Sequence, residues 1–171
     1  LERINYEAEH NASAFIARTE AAFHRDIRRI AETIASSTDL CKVIMLAGPS
    51  SSGKTTTAHI LLDALRECGI GSQVISLDNF YKGESDAHDY ESVEALNVPL
   101  LERCLLDLME TNTCDMPVFD FENHCPHPYT RRIRFGEREI AVVEGIHALN
   151  PAISRHLPED GVLKIYISVK Q

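Results

Sequence analysis

The sequence predicts an α/β fold, a doubly wound parallel sheet with helices on both faces, preceded by a long N-terminal helix. Three observations carry that expectation. Short, wholly apolar runs alternate with helical patterns from Lys42 onward, as strands buried on both faces require. The stretch Gly48-Pro49-Ser50-Ser51-Ser52-Gly53-Lys54-Thr55 stands between one such run and a helical pattern. Acidic and aromatic residues suited to chemistry follow the apolar runs, and sheets of this kind hold ligands at the carboxyl ends of their strands.

Taken in order, residues 6–35 read as an amphipathic helix, with Ala8, Ala12, Phe15, Ile16, Phe23, Ile27, Ile30 and Ile34 at helical spacing. Ser36, Ser37, Thr38 and Asp39 break it. Residues 42–47 form a buried strand, and 54–68 a helix closed by Gly69. A second strand over 72–77 runs into Asp78-Asn79-Phe80-Tyr81, and the acidic stretch 82–91 reads as a mobile loop. Asn97 and Pro99 start a helix carrying Leu100, Leu101, Cys104, Leu105, Leu108 and Met109. Residues 117–121 are a short extended piece. Residues 133–135 and 139–143 flank Gly136 as a hairpin feeding a core strand. A short helix over 150–157 and a buried strand over 162–169 complete the pattern. The expected division is a helical extension over 1–40 and a core over 41–171.

One domain is the natural expectation for 171 residues, enough chain to bury about two-thirds of its unfolded surface. Apolar content of 44% and charged content of 25% fit an ordinary globular protein. The net charge of −9 argues against bulk nucleic acid or an anionic membrane as partner. No apolar stretch approaches the length of a membrane span, and the N-terminus lacks a secretory-signal layout. Cys41, Cys68, Cys104, Cys114 and Cys125 include no Cys-x-x-Cys pair, which fits reduced thiols and a cytoplasmic location. His124, Cys125, His127 and His147 match no standard zinc spacing, and Pro126 and Pro128 make their segment read as an extended loop. Beginning at Leu1 rather than Met, the chain reads as a piece of something longer.

The loop at 48–55 has the make-up of a nucleotide-phosphate site. Gly48 and Gly53 let the backbone turn so that successive N–H groups converge on phosphate oxygens. The following helix adds the partial positive charge of its N-terminus. Lys54 reaches the outer phosphates and the Thr55 hydroxyl is placed to ligate Mg2+. Gly48, Ser50, Ser51, Ser52, Gly53, Lys54, Thr55 and Thr56 are therefore the candidate nucleotide-binding residues, with Mg2+ as the expected metal.

Beyond the loop, Asp78 is the candidate base for an acceptor hydroxyl, its alternative role being a turn or cap. Glu144, at the tip of Ile140-Ala141-Val142-Val143, can hold Mg2+ directly or through water, the alternative being a solvated strand end. Phe119, Asp120, Phe121 and His124 can stack a planar base and bond its edge, or simply fill the core. Arg131, Arg132 and Arg134 can reach phosphates, but on a hairpin of an acidic protein a solvated surface is preferred.

Taken together, the loop, Ser76-Leu77-Asp78-Asn79-Phe80-Tyr81, Pro117-Val118-Phe119-Asp120-Phe121 and Val143-Glu144-Gly145-Ile146 resemble the uridine kinase and phosphoribulokinase family of P-loop kinases. The N-terminal helix and His147-Ala148-Leu149-Asn150-Pro151 resemble a bacterial subgroup in which a region similar to threonyl-tRNA synthetase lies upstream. The resemblance implies that Asp78 is the catalytic base and that Lys54 serves the transferring phosphate. It implies that Tyr81 shapes the acceptor site, that Phe119 and Phe121 line a nucleoside pocket, that His124 touches the base, and that Glu144 serves Mg2+. Phe119 stands where nucleoside kinases of the family carry Tyr, and Cys125-Pro126-His127-Pro128 replaces a short basic stretch. Residues 89–94 resemble the family's acidic acceptor-site segment only loosely.

The chain stops at Gln171, ahead of the Arg-rich lid of the family, so the expectation for this piece is weak nucleotide binding and poor turnover. The expected function is γ-phosphoryl transfer from Mg-ATP to a uridine- or cytidine-like nucleoside. Two alternatives stand beside it: a kinase of a sugar phosphate or pantothenate-like alcohol, and a nucleotide-binding regulatory module without transfer. The expected partners are small molecules, with a homo-oligomer left open.

Overall fold

The computed structural model describes residues 2–37, 41–49, 52–83 and 89–168. The first helix, α1, spans Glu2–Ser36 and is broken at Asn11, where the backbone leaves helical values. Among its described side chains, the buried ones lie in the C-terminal part. Ile27, Ala31 and Ile34 are buried one to two turns apart, whereas Ile16 is 53% and Phe23 37% exposed. The apolar stripe expected from residue 8 onward is thus used from Ile27, where α1 meets the second helix and an exposed Arg28–Glu67 ion pair ties the two at 2.6 Å.

From Val43 the chain alternates as expected: β1 Val43–Ala47, α2 Lys54–Glu67, β2 Gly71–Ser76, α3 Val98–Thr111, β3 Thr113–Asp120, β4 Cys125–Arg134, β5 Glu139–Glu144, α4 Pro151–Ser154 and β6 Val162–Tyr166. Among the described residues, four strands form one parallel sheet in the order β2-β5-β1-β6. Successive β1 residues point to opposite faces, and both are covered. Val43, Met45 and Ala47 join a core with Leu101, Leu105 and Leu108 of α3. Ile44 and Leu46 join a second core with Leu61 and Leu65 of α2 and Ile27 and Ile34 of α1. Every residue of β1 is buried, which is why the strand reads as an unbroken apolar run.

Three expectations are corrected. The hairpin does not cross Gly136: β4 pairs antiparallel with β3, closing over residues 121–124, and β5 enters the parallel sheet. The central strand β5 has both edges occupied by β1 and β2, leaving none for β4. Polar β4 instead forms a solvent-facing ribbon with β3, and Arg132 makes two hydrogen bonds to Asp115 across it at 2.8 and 2.7 Å. The segment after His124, expected as an extended loop, is therefore a strand, and it tolerates Pro126 and Pro128 because it pairs on one side only. The last strand is not the buried one expected over 162–169, of which residue 169 lies outside the described residues. It ends at Tyr166, which is 62% exposed, because an edge strand has a single neighbour. Among the described residues, no helix is long and apolar enough to cross a membrane.

Candidate functional site

The strand register fixes the centre of the site. Leu46 of β1 lies beside Glu144 of β5, and Glu144 lies beside Ser76 of β2. Three carboxyl ends are therefore level. The loop leaves β1 on one side of Glu144, and Asp78 follows β2 on the other. At the usual strand spacing, β1 and β2 stand about 10 Å apart with β5 between them.

On the β1 side, Gly53 sits at φ 80°, the left-handed backbone that favours glycine, and caps α2 without a side-chain bond. The first bond of the helix runs from Thr57 N–H to the Gly53 carbonyl at 2.8 Å. The N–H groups of Lys54, Thr55 and Thr56, in the first turn, thus have no helical acceptor and are free for an anion. Gly48 is there for space: a Cβ would come within 2.8 Å of both the Ile167 carbonyl oxygen and Ser52 Oγ. Ser52 Oγ is buried without a hydrogen-bond partner. Lys54 Nζ donates back across the loop to the Pro49 carbonyl at 2.6 Å. Thr55 and Thr56 are exposed. Ser50 and Ser51 lie outside the described residues.

On the β2 side the strand ends at Ser76, two residues earlier than Asp78. Asp78 belongs to a single 3-10 turn, Leu77–Phe80, capped by the Ser76 hydroxyl, which accepts from Asp78 N–H at 3.4 Å. Because Ser76 does the capping, the Asp78 carboxylate is left exposed, near the Tyr81 hydroxyl. Tyr81 Oη also approaches the Tyr90 carbonyl at 3.1 Å, within donating distance. Burial, and then the negative charge of Asp78, push the Tyr81 phenol up to about 12. Tyr81 is therefore a proton-retaining neighbour of Asp78.

An aromatic wall grows from Tyr81. Its ring meets Tyr90 edge-on at 4.9 Å and Phe119 at 5.7 Å; Phe119 meets Phe121 at 5.2 Å, and Tyr90 lies 6.2 Å from His124. Phe119 is buried, while Phe121 is 58% exposed. Asp120, by contrast, is occupied. Its carboxylate accepts from the Asn123 side chain at 2.7 Å and from the Glu122 and Asn123 amides at 2.9 and 3.0 Å, closing the turn that holds His124 at φ 51°. Those bonds, that of the Asn123 side chain foremost, hold its carboxyl below the usual range.

Glu144 is 9% exposed and makes no hydrogen bond or ion pair with any described residue. A carboxylate at a strand tip beside the loop has the chemistry to suit a cation. Arg131, Arg132 and Arg134 are exposed on β4, and Arg132 is taken by Asp115. Tyr90, whose hydroxyl is buried without a partner among the described residues, is not singled out by the sequence, which marks only the stretch 89–94 as loosely resembling an acceptor-site segment. It occurs in a polar, irregular stretch, and its approach to Tyr81 depends on an isolated bridge between Tyr81 and Leu96.

Residues 43–170 match the model of the Phosphoribulokinase / Uridine kinase family. A uridine kinase of Schizosaccharomyces pombe is 35% identical over 117 residues, covering 63% of this chain and 25% of the relative. A uridine kinase of Borrelia duttonii is 33% identical over 135 residues, covering 75% of this chain and 61% of the relative. The chain thus spans about a quarter of the fission-yeast relative's length and under two-thirds of the Borrelia one. Among solved structures, a possible uridine kinase from Bacillus stearothermophilus superposes with a TM-score of 0.66 at 22% identity, over 83% of this chain and 79% of that one, and shares the fold.

Proposed function

The chain belongs to the phosphoribulokinase / uridine kinase family, and on that premise we propose that the full-length protein is an ATP-dependent kinase of a nucleoside, uridine- or cytidine-like, working in the cytoplasm. In this reading residues 41–171 are the kinase core and 1–40 an extension. The observation that carries it is the register that sets Glu144, unpaired among the described residues, between the loop strand and the strand leading to Asp78.

The loop amides and the first turn of α2 grip the phosphates, and Lys54 exchanges its bond to the Pro49 carbonyl for one to the outer phosphates. Glu144 and the Thr55 hydroxyl are the residues that would hold Mg2+, which when bound neutralises charge on the transferring group. Asp78 accepts the proton of the acceptor hydroxyl as that oxygen attacks the γ-phosphorus and the bond from phosphorus to the β,γ-bridging oxygen breaks, with ADP as the leaving group. Tyr81, its proton firmly held, stands beside the Asp78 carboxylate without competing as a base. The faces of Tyr81, Tyr90 and Phe121, with His124, receive the planar base.

Phe119 favours a second reading, a kinase of a non-nucleoside alcohol, because it lacks the hydroxyl that a nucleoside pocket of this family carries. The test is the full-length protein with Mg-ATP against uridine, cytidine, sugar phosphates and pantothenate, with product identification. Nucleoside monophosphate is the expected product. Phosphorylation of another alcohol alone would move the assignment to the second reading.

A further inference from the structure

We propose that His147 is a positioning residue, clamping the acceptor-side segment 89–96 to the strand tip that carries Glu144; the role rests on the kinase reading above. The segment has little regular structure of its own. It contains one 3-10 turn, Val93–Ala95, and the single bridge from Leu96 to Tyr81. Its C-terminal end is held by the buried Ala95 and Leu96 and by backbone bonds from Lys82 N–H to Ala95 and from Asn97 N–H to Phe80, and three side chains are directed at its backbone carbonyls. Tyr81 Oη lies 3.1 Å from the Tyr90 carbonyl, His147 Nε2 2.7 Å from that of Glu91, and Lys82 Nζ 2.8 Å from that of Glu94.

The three contacts are not equivalent. Tyr81 and Lys82 both follow β2, so they tie the segment to its own side of the cleft. His147 comes from the turn after β5, three residues beyond Glu144, and reaches across 56 positions of sequence. Because a carbonyl oxygen only accepts, Nε2 must carry the hydrogen, which assigns the ring's donor nitrogen. Addressing a carbonyl rather than a side chain fixes where the backbone runs. That path sets Tyr90 edge-on to Tyr81 and brings Glu91 close enough for its charge to reach the Tyr81 hydroxyl beside Asp78. His147 thus couples the metal-side tip to the wall that receives the acceptor, while the phosphate loop on β1 and α2 is built without it.

The test uses the full-length protein, with uridine as the acceptor probe. His147→Ala is expected to raise the KM for uridine about 5- to 10-fold, as loss of one hydrogen bond would, leaving kcat and the KM for ATP within about twofold. His147→Gln, which keeps a side-chain N–H donor, should recover most of the loss. In the same Ala variant, hydrogen exchange at the Ser92, Ala95 and Leu96 amides should quicken about 5- to 10-fold, with α2 unchanged. Unchanged exchange at those amides, a joint rise in both KM values, or a Gln variant no better than Ala would each overturn the role. If the unaltered protein does not phosphorylate uridine, the kinetic result bears on the kinase reading, and exchange alone decides the clamp.

Discussion

The loop leaving β1 and the aromatic wall around Tyr81 flank the same strand tip, yet they are assembled differently. The loop is local. Gly48 to Thr57 is one continuous stretch; the groups it would offer a phosphate are chiefly backbone amides, and it stands on a strand with no exposed residue. The wall is gathered from four separate places: Asp78 and Tyr81 after β2, Tyr90 from the irregular segment, Phe119 at the end of β3, and His124 in the turn before β4. Gripping phosphate asks for a conformation, which a few neighbouring residues can specify. Recognising an acceptor asks for side chains at set distances, which tertiary pairing must supply.

Sequence reading divides along the same line. The loop, α2 and the buried strands are legible because glycine placement and unbroken apolar runs are properties of adjacent residues. Glu144 and Asp78 are legible as acids after such runs, although Asp78 stands in a 3-10 turn rather than on the strand. The partner of β4 is not legible. Both Gly136 and the turn at 121–124 can close a hairpin, and only the occupancy of both β5 edges decides between them. Tyr90 and His147 are hidden for the same reason, since each acquires its role from a contact with a distant segment.

If the two halves are separable, single substitutions should damage one and spare the other. Asp78→Asn should lower kcat about 10²- to 10⁴-fold, the usual range for a lost general base, while nucleotide affinity measured by calorimetry holds. A parallel loss of nucleotide affinity would break the division. Gly48→Ala is the mirror case. Its Cβ would press on the Ile167 carbonyl and Ser52 Oγ, so nucleotide affinity should fall at least about tenfold and stability by about 1–3 kcal/mol in urea unfolding, with the aromatic wall intact.

A smaller effect is expected at Phe121, which is exposed and touches the Phe119 ring. Phe121→Ala should raise the acceptor KM about 3- to 10-fold and leave the melting temperature nearly unchanged. The smallest lies in alkaline stability. Tyr81 keeps its proton up to about 12 in the folded chain, against an ordinary 10.0, so the unfolded chain releases it first. Its contribution is present below pH 10 and fades as pH rises toward about 12. Urea midpoints compared at about pH 9 and pH 11 should fall less steeply in Tyr81→Phe than in the unaltered protein.

The most direct measurement uses full-length Asp78→Asn, in which both ligands can be titrated without turnover. Calorimetry should show Mg-ATP binding with unaltered affinity and uridine binding to the same protein whether or not Mg-ATP is present, each filling its own half of the cleft. Uridine that produces no binding heat, or that Mg-ATP displaces competitively, would contradict a nucleoside site beside the phosphate loop.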